Sequence, residues 1–197
     1  MAHATAADHL QTSTGLDNRK LLMWLFLASD CLFFGSFIAA YLLYRGRSVV
    51  GPYPADLFDI PFTSVSAFIL LMSSVTMVLA LAAIQRGNVR NMRIWLFTTA
   101  ILGTLFIAGQ VFEFTEFNHE GLSLSTNLFG TTFFVLTGFH GAHVTVGVLI
   151  LLSLFVVSMR GGIQQKDSLA IELAGLYWHF VDIVWIVIFT LVYLIQP

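Results

Sequence analysis

Five apolar runs of membrane-spanning length dominate this 197-residue chain. A helix that crosses a bilayer needs about 20 consecutive residues that are mostly apolar. The runs extend over Leu21–Tyr44, Phe62–Ile84, Ile94–Phe117, Leu128–Met159 and Ile171–Ile195. Only 10% of the residues are charged, whereas soluble domains average about 25%. The sequence therefore predicts an all-α integral membrane protein that folds as a bundle of five transmembrane helices.

The segments outside these runs predict the domain organisation. Residues 1–20 are polar and lack the basic stretch that opens a signal peptide, so we expect a soluble N-terminal tail. Residues 21–197 then form one five-helix domain, because the connections are too short to separate two domains. The longest connection, residues 45–61, contains three of the four prolines and is expected to be a loop.

The basic residues predict the orientation of the bundle in the membrane. Loops rich in Lys and Arg stay in the cytoplasm. Seven of the nine basic residues fall on the side of the N-terminus, namely Arg19, Lys20, Arg86, Arg90, Arg93, Arg160 and Lys166. Only Arg45 and Arg47 fall on the other side. We expect a multi-pass membrane protein with the N-terminus inside and the C-terminus outside.

Charge and cysteine content exclude several classes of protein. A net charge of −2 and a pI near 6.3 give no basic stripe, so no nucleic-acid partner is expected. Because Cys31 is the only cysteine, the chain cannot form an internal disulfide, a cysteine zinc cluster or a cysteine-ligated iron–sulfur centre.

Small and aromatic residues suggest how the helices pack. Glycine, alanine and threonine are concentrated in the fourth run, which is therefore expected to be the central helix. Five larger aromatic residues are typical of interfacial belts, namely Trp24, Trp95, Trp178, Tyr41 and Tyr44.

Six ionisable side chains within the runs are the candidate functional residues: Asp30, Glu113, His140, His143, His179 and Asp182. A charge at the centre of a membrane costs about 2.5–3.5 kcal/mol on insertion scales, so each such group needs a partner or a function. Glu113 is expected near water at the outer end of the third run. The other five are expected deep in the bilayer and directed into the bundle.

The spacing of these residues suggests partners. His140 and His143 are three residues apart, which places them on one helix face. His179 and Asp182 repeat that spacing and are expected to form a hydrogen bond. Asp30 is expected to pair with His140 or His143, or with a lipid headgroup.

Three interpretations of this set remain open from the residues alone. The acids and histidines could hydrogen-bond between helices and only set the packing. They could ligate a haem between the fourth and fifth helices. They could also belong to a proton or ion path, although the second run supplies only hydroxyl groups to such a path.

Four sequence strings resemble one family, subunit III of the haem–copper terminal oxidases. The fifth run contains YWHFVDIVW from Tyr177 to Trp185, and the fourth contains FHGAH from Phe139 to His143. The first run adds SDCLFF from Ser29, and the third adds QVFEF from Gln110. The resemblance covers residues 20–197.

The resemblance implies an accessory subunit without redox centres of its own. It implies that haem and copper belong to the partner subunit I, that this chain binds neither, and that subunit II is a further partner. It also implies bound structural phospholipid, support of proton uptake by subunit I, and protection from inactivation during turnover. The six candidate residues match polar positions of the family.

Two departures from the family pattern bear on function. The chain resembles the five-helix bacterial form and lacks two helices that wall the lipid cleft of the seven-helix form. Position 30 carries aspartate where the mitochondrial form usually has glutamate, and its SDC string resembles the quinol-oxidising branch. A cytochrome c oxidase is the favoured assignment. A quinol oxidase is the alternative, and an independent small transporter or channel is a remote one.

Overall fold

Five long helices make up the structure, which is a computed structural model that describes residues 15, 17–48, 51 and 58–195. Helix α1 is Asn18–Tyr44, α2 is Ile60–Gln85, α3 is Val89–His119, α4 is Leu128–Met159 and α5 is Ser168–Ile188. All five are long and apolar enough to span a membrane, α5 together with the segments on either side of it. The predicted five-helix bundle is confirmed. Most of the tail and much of the first loop lie outside the described residues.

Polar caps start the helices before the apolar runs begin. Asp17 accepts a hydrogen bond from the amide of Arg19 over 2.8 Å, and Asn127 accepts one from Gly130 over 2.7 Å. Asp59 and Asn88 cap α2 and α3 in the same way. Such caps bind amides of the first turn that have no partner within the helix. Helices α1 and α3 therefore begin three and five residues before the predicted spans.

Three helices end in the same glycine turn. Gly87, Gly121 and Gly161 have φ angles of 76°, 88° and 77°, a conformation that glycine adopts without steric cost. After each glycine, the next amide donates to the carbonyl five residues earlier over 2.8–3.0 Å. This Schellman arrangement binds helix carbonyls that would otherwise have no partner.

The winding changes at both ends of helix α5. A 3₁₀ turn at Gln165–Asp167 leads into α5, and a π-helix at Phe189–Leu194 follows it. The amide of Ile195 donates to the carbonyl of Thr190 over 3.0 Å, which is the five-residue bond of a π-helix. The predicted fifth span, which ended at Ile195, is therefore not one uniform α-helix.

The helices differ in how much of their surface is buried. Helix α2 pairs closely with α3 and also contacts α5, whereas α1 packs mainly on α4 and α5. In the most apolar stretch of each helix, 50% of the α5 segment is buried but only 11% of α1. The expectation that α4 is the central helix is correct in part. It contacts α1, α3 and α5, but α5 is the more buried helix.

The indole of Trp178 joins four helices in the core. A side chain added at Gly103 of α3 or at Gly147 of α4 would overlap this ring. Its Nε1 donates to Ser73 Oγ of α2 over 2.9 Å. Trp178 and Tyr41 are each only 1% exposed, so their expected place in an interfacial belt is wrong. The glycines facing Trp178 provide the space that admits a large ring to the core.

Candidate functional site

Asp30 of α1 and His143 of α4 form a pair at the edge of the bundle. Asp30 Oδ2 lies 3.8 Å from His143 Nε2, and their side chains are 14% and 21% exposed. His143 Nδ1 lies 2.7 Å from the carbonyl oxygen of Phe139. A carbonyl oxygen can only accept, so Nδ1 carries a proton and Nε2 is left to face Asp30. Asp30 Oδ2 is buried without a hydrogen-bond partner among the described residues.

One shared proton would make this pair neutral as a whole. Either the carboxyl group carries that proton and faces a neutral imidazole, or a carboxylate faces an imidazolium. Both states have no net charge, which lowers the cost of placing the two groups within a membrane. The distance of 3.8 Å is longer than a hydrogen bond, so the two side chains are close but not directly hydrogen-bonded.

An apolar cavity of about 660 Å³ lies beside this pair. Its walls come from the first three turns of α1, from residues 139–154 of α4 and from residues 170–177 of α5. The lining residues are Met23, Phe26, Phe139, Ala142, His143, Val146, Ile150, Leu154, Ala170, Leu173, Ala174 and Tyr177. Tyr177 donates its hydroxyl to the carbonyl of His143 over 3.0 Å, so the polar groups gather at one end.

His140 does not join the pair, although it lies one turn away. It is fully buried, and its Nε2 lies 3.1 Å from the carbonyl oxygen of Val181 on α5. Its ring stacks on Trp185 with a centroid distance of 4.9 Å, and Phe106 packs edge-on against it. Of the two histidines expected as partners of Asp30, only His143 lies near it, because His140 is bound to α5.

Ser74 of α2 lies between His179 and Asp182 of α5. Its Oγ donates to Asp182 Oδ2 over 2.6 Å and accepts from His179 Nδ1 over 3.1 Å. The expected direct bond between His179 and Asp182 is wrong, because both side chains turn toward the neighbouring helix. In the sequence, Ser74 is one of several hydroxyl groups of the second run. Its position in the middle of the second run, opposite the fifth, was the only signal.

Glu113 is buried, with 6% of its surface exposed, so the expectation that it lies near water is wrong. It accepts hydrogen bonds from the hydroxyl groups of Thr63 on α2 and Tyr193 in the π-helix. These two bonds join three helices and satisfy a carboxyl group inside the bundle.

The six candidate residues therefore occupy four separate places. Asp30 and His143 form one cluster, and His179 and Asp182 share Ser74 in another, while His140 and Glu113 are each held separately. Within residues 15, 17–48, 51 and 58–195, no three His, Cys, Asp or Glu side chains are grouped so that they could hold a metal ion. His140 and His179 each have a ring nitrogen engaged by a neighbouring helix.

Comparisons with known proteins identify the family. The model of the family "Cytochrome c oxidase subunit III" matches residues 3–196. The chain is 38% identical over 193 residues to cytochrome c oxidase subunit 3 of Thermostichus vulcanus, covering 98% of this chain and 94% of that protein. It is 36% identical over 192 residues to quinol oxidase subunit 3 of Bacillus spizizenii, with coverage of 98% and 94%.

A third relative is cytochrome bo(3) ubiquinol oxidase subunit 3 of Pseudomonas aeruginosa. It is 36% identical over 193 residues, which cover 98% of this chain and 92% of that protein. The relatives thus include subunits of oxidases that are named for cytochrome c and of oxidases that are named for quinol. With its five spanning helices, the chain belongs to the cytochrome c oxidase subunit III family and is a multi-pass protein of the bacterial plasma membrane.

Proposed function

We propose that this chain is the accessory subunit III of a proton-pumping terminal oxidase that reduces oxygen to water. In this role it has no redox centre, and the haem and copper belong to subunit I, which it contacts directly in a complex with subunit II. The observation that carries the proposal is the Asp30–His143 pair beside an apolar cavity. A carboxyl group and an imidazole at the edge of the bundle, next to an apolar cavity and with no group of residues among those described that could hold a metal ion, suit support of proton uptake better than catalysis.

The cavity is suited to a phospholipid acyl chain. Its walls are apolar along most of their length, and the polar groups of His143 and Tyr177 lie at one end. The two helices that enclose such a lipid in the longer family members are missing here, so the surrounding bilayer or another subunit completes the wall. A bound lipid would keep water from Asp30 and would limit damage to subunit I during turnover.

The face formed by α2 and α5 is suited to contact with subunit I. Ser74 and His179 are half-buried on this face, at a depth where the bilayer is hydrocarbon. Polar groups exposed to lipid at that depth are costly, so they generally face protein. Cover by subunit I would exclude lipid from both side chains.

The electron donor of the complex is cytochrome c in this proposal. The relative from Thermostichus vulcanus, at 38% identity, is a cytochrome c oxidase subunit. Quinol is the second candidate donor, because the relatives from Bacillus spizizenii and Pseudomonas aeruginosa are subunits of quinol oxidases at 36% identity.

The N-terminus is inside in this proposal, since the ends of α2 and α4 and the start of α3 carry most of the arginines.

The test is oxygen consumption by the purified complex with and without this chain. We expect the complex to oxidise reduced cytochrome c, to have a similar initial rate without the chain, and then to lose activity sooner during sustained turnover. If the complex oxidised quinol but not cytochrome c, quinol would be the donor and the supporting role of this chain would be unchanged. Loss of the initial rate on removal of the chain, with subunits I and II still assembled, would contradict the accessory role.

A further inference from the structure

A second groove lies between α3 and α4, away from the cavity that His143 lines. It has a volume of about 450 Å³, and its apolar walls include Ile94 and Phe97 of α3 and Phe155 and Met159 of α4. Phe97 and Phe155 stack with a centroid distance of 5.0 Å. Helix α4 separates the two sites, because the earlier cavity contacts other residues of that helix, including Ile150 and Leu154.

Two arginines line the end of this groove at which α3 begins. Arg93 is half-buried and held in place, since its Nε donates to Ser158 Oγ over 2.7 Å and its Nη2 donates to the carbonyl of Ser158 over 2.5 Å. Arg90 is exposed one turn earlier on the same helix. A guanidinium group has five N–H donors, so Arg93 keeps donors beyond those that Ser158 uses.

These arginines have no carboxylate to neutralise them within the described part of the chain. The ion pairs there are Arg19 with Asp17, Lys20 with Glu172, and His143 with Asp30. The acidic residues nearest to this end in sequence are engaged elsewhere: Glu172 with Lys20, and Asp167 with the amide of Gln164. The groove therefore combines an apolar floor with two positive charges at its rim.

We propose that this groove binds an anionic phospholipid, with the phosphate on Arg90 and Arg93 and an acyl chain along Phe97 and Phe155. The charge at the rim complements the phosphate, and arginine is well suited to two-point binding of phosphate oxygens. The apolar floor favours a lipid over a free phosphate ion, because a phosphate ion has no apolar part that could contact this floor. The lipid belongs to the leaflet at which α3 begins, whichever face of the membrane that is.

The test uses the purified oxidase complex, a phosphatidylglycerol with a photoreactive acyl chain, and phosphatidylcholine with the same chain as the comparison. We expect phosphatidylglycerol to crosslink to peptides containing residues 94–98 and 155–159, and phosphatidylcholine to crosslink there much less. Inorganic phosphate should not compete with the lipid. Equal crosslinking by both lipids, or loss of crosslinking in the presence of phosphate, would overturn the proposal.

Matched variants separate a specific site from general surface charge. R90Q should weaken phosphatidylglycerol binding about fivefold, since one basic residue near a membrane surface contributes on the order of 1 kcal/mol. R86Q removes the same charge at the same end of the bundle but does not line the groove, so it should leave binding unchanged. R93K keeps the positive charge but replaces the guanidinium group, so it tests whether lipid binding depends on the guanidinium geometry. It carries less risk to the fold than a variant of Arg93 without a charge. Equal effects of R86Q and R90Q would overturn the proposal.

Discussion

Two clusters in this bundle each contain an aspartate and a histidine, but their surroundings differ. His179 and Asp182 are bridged by Ser74 and lie next to Trp178, in the most buried helix of the protein. Asp30 and His143 lie 3.8 Å apart, and no side chain among the described residues bridges them. His143 lines a cavity of about 660 Å³, and Asp30 belongs to α1, which has the smallest buried share of the five helices. The same residue types can thus hold helices together in one place and remain free to interact in another.

The comparison predicts opposite responses to mutation. Changes in the cluster around α5 should lower the stability of the assembled complex with little direct effect on catalysis. Changes in the Asp30–His143 pair should leave assembly intact and alter behaviour during turnover. Four measurements test this contrast.

The largest loss of stability is expected from Gly147→Ala, at the place where α4 packs against Trp178 of α5. The added methyl group would overlap the ring of Trp178, which is fixed by α2 and α3. Overpacking of this kind costs about 1–3 kcal/mol, so the purified complex should denature at a lower temperature. Gly138→Ala on the same helix is the control, because no atom of the described residues, apart from the nearby backbone of α4 itself, lies within 4 Å of its new Cβ. Equal thermal stability of the two variants would contradict the packing described for Trp178.

A smaller loss is expected from His179→Phe and from Ser74→Ala. His179→Phe removes one hydrogen bond between α2 and α5 and Ser74→Ala removes two, and such bonds contribute about 0.6–2 kcal/mol each in membranes. The double variant should lose less than the sum of the single variants, because Ser74 and His179 share one interaction. Ser64→Ala is the control, since the Ser64 hydroxyl bonds only to Ile60 of its own helix among the described contacts. Unchanged yield and thermal stability of both single variants would count against a structural role.

The smallest effect is expected at the start of α1, which carries Asp30. Asp17 caps this helix, and the guanidinium of Arg19 beside it lowers the pKa of the Asp17 carboxyl below its usual value. A lowered pKa means that the cap is present above the ordinary pKa of aspartate and is lost as the pH falls through the lowered value. Amide protection in the first turn should therefore be constant at neutral pH and fall only below about pH 4.

Hydrogen–deuterium exchange of residues 19–21 in the complex measures this protection. Asp17→Asn keeps a capping oxygen without a titrating group, so its protection should not fall in acid. Asp17→Ala should lose protection at every pH. A decline in the unaltered protein that begins near pH 6 would contradict the pKa shift.

Much of the fold followed from hydropathy, but the partners of the polar residues did not. The spans were predictable, because apolar length is a strong signal in a sequence, but His143 was only one of three partners expected for Asp30. The role of Ser74 was not, since a serine within a helix most often bonds to its own backbone. His140 and His143 have the same spacing as His179 and Asp182, yet spacing could not show that α5 binds His140. The π-helix after Ile188 had no sequence signal, because it preserves the apolar pattern.

The burial of Glu113 and Trp178 shows a second limit. Both have properties that fit the membrane surface, one as an acid near a helix end and the other as a tryptophan. Their burial depends on residues far away in sequence: Thr63 and Tyr193 for the acid, and two glycines for the indole. The burial of such residues can be predicted only when the neighbouring helices are known.

The most direct test of the central contrast is the active lifetime of an oxidase complex that carries Asp30→Asn. The amide keeps the size of the side chain and removes its ability to share a proton with His143, and Asp30→Glu serves as the matched control with the carboxyl group retained. We predict an initial rate of oxygen consumption close to that of the unaltered complex, followed by much earlier inactivation in sustained turnover, with Asp30→Glu lasting longer. An Asp30→Asn complex that is fully assembled but inactive from the first turnover, or one whose lifetime is unchanged, would contradict the account.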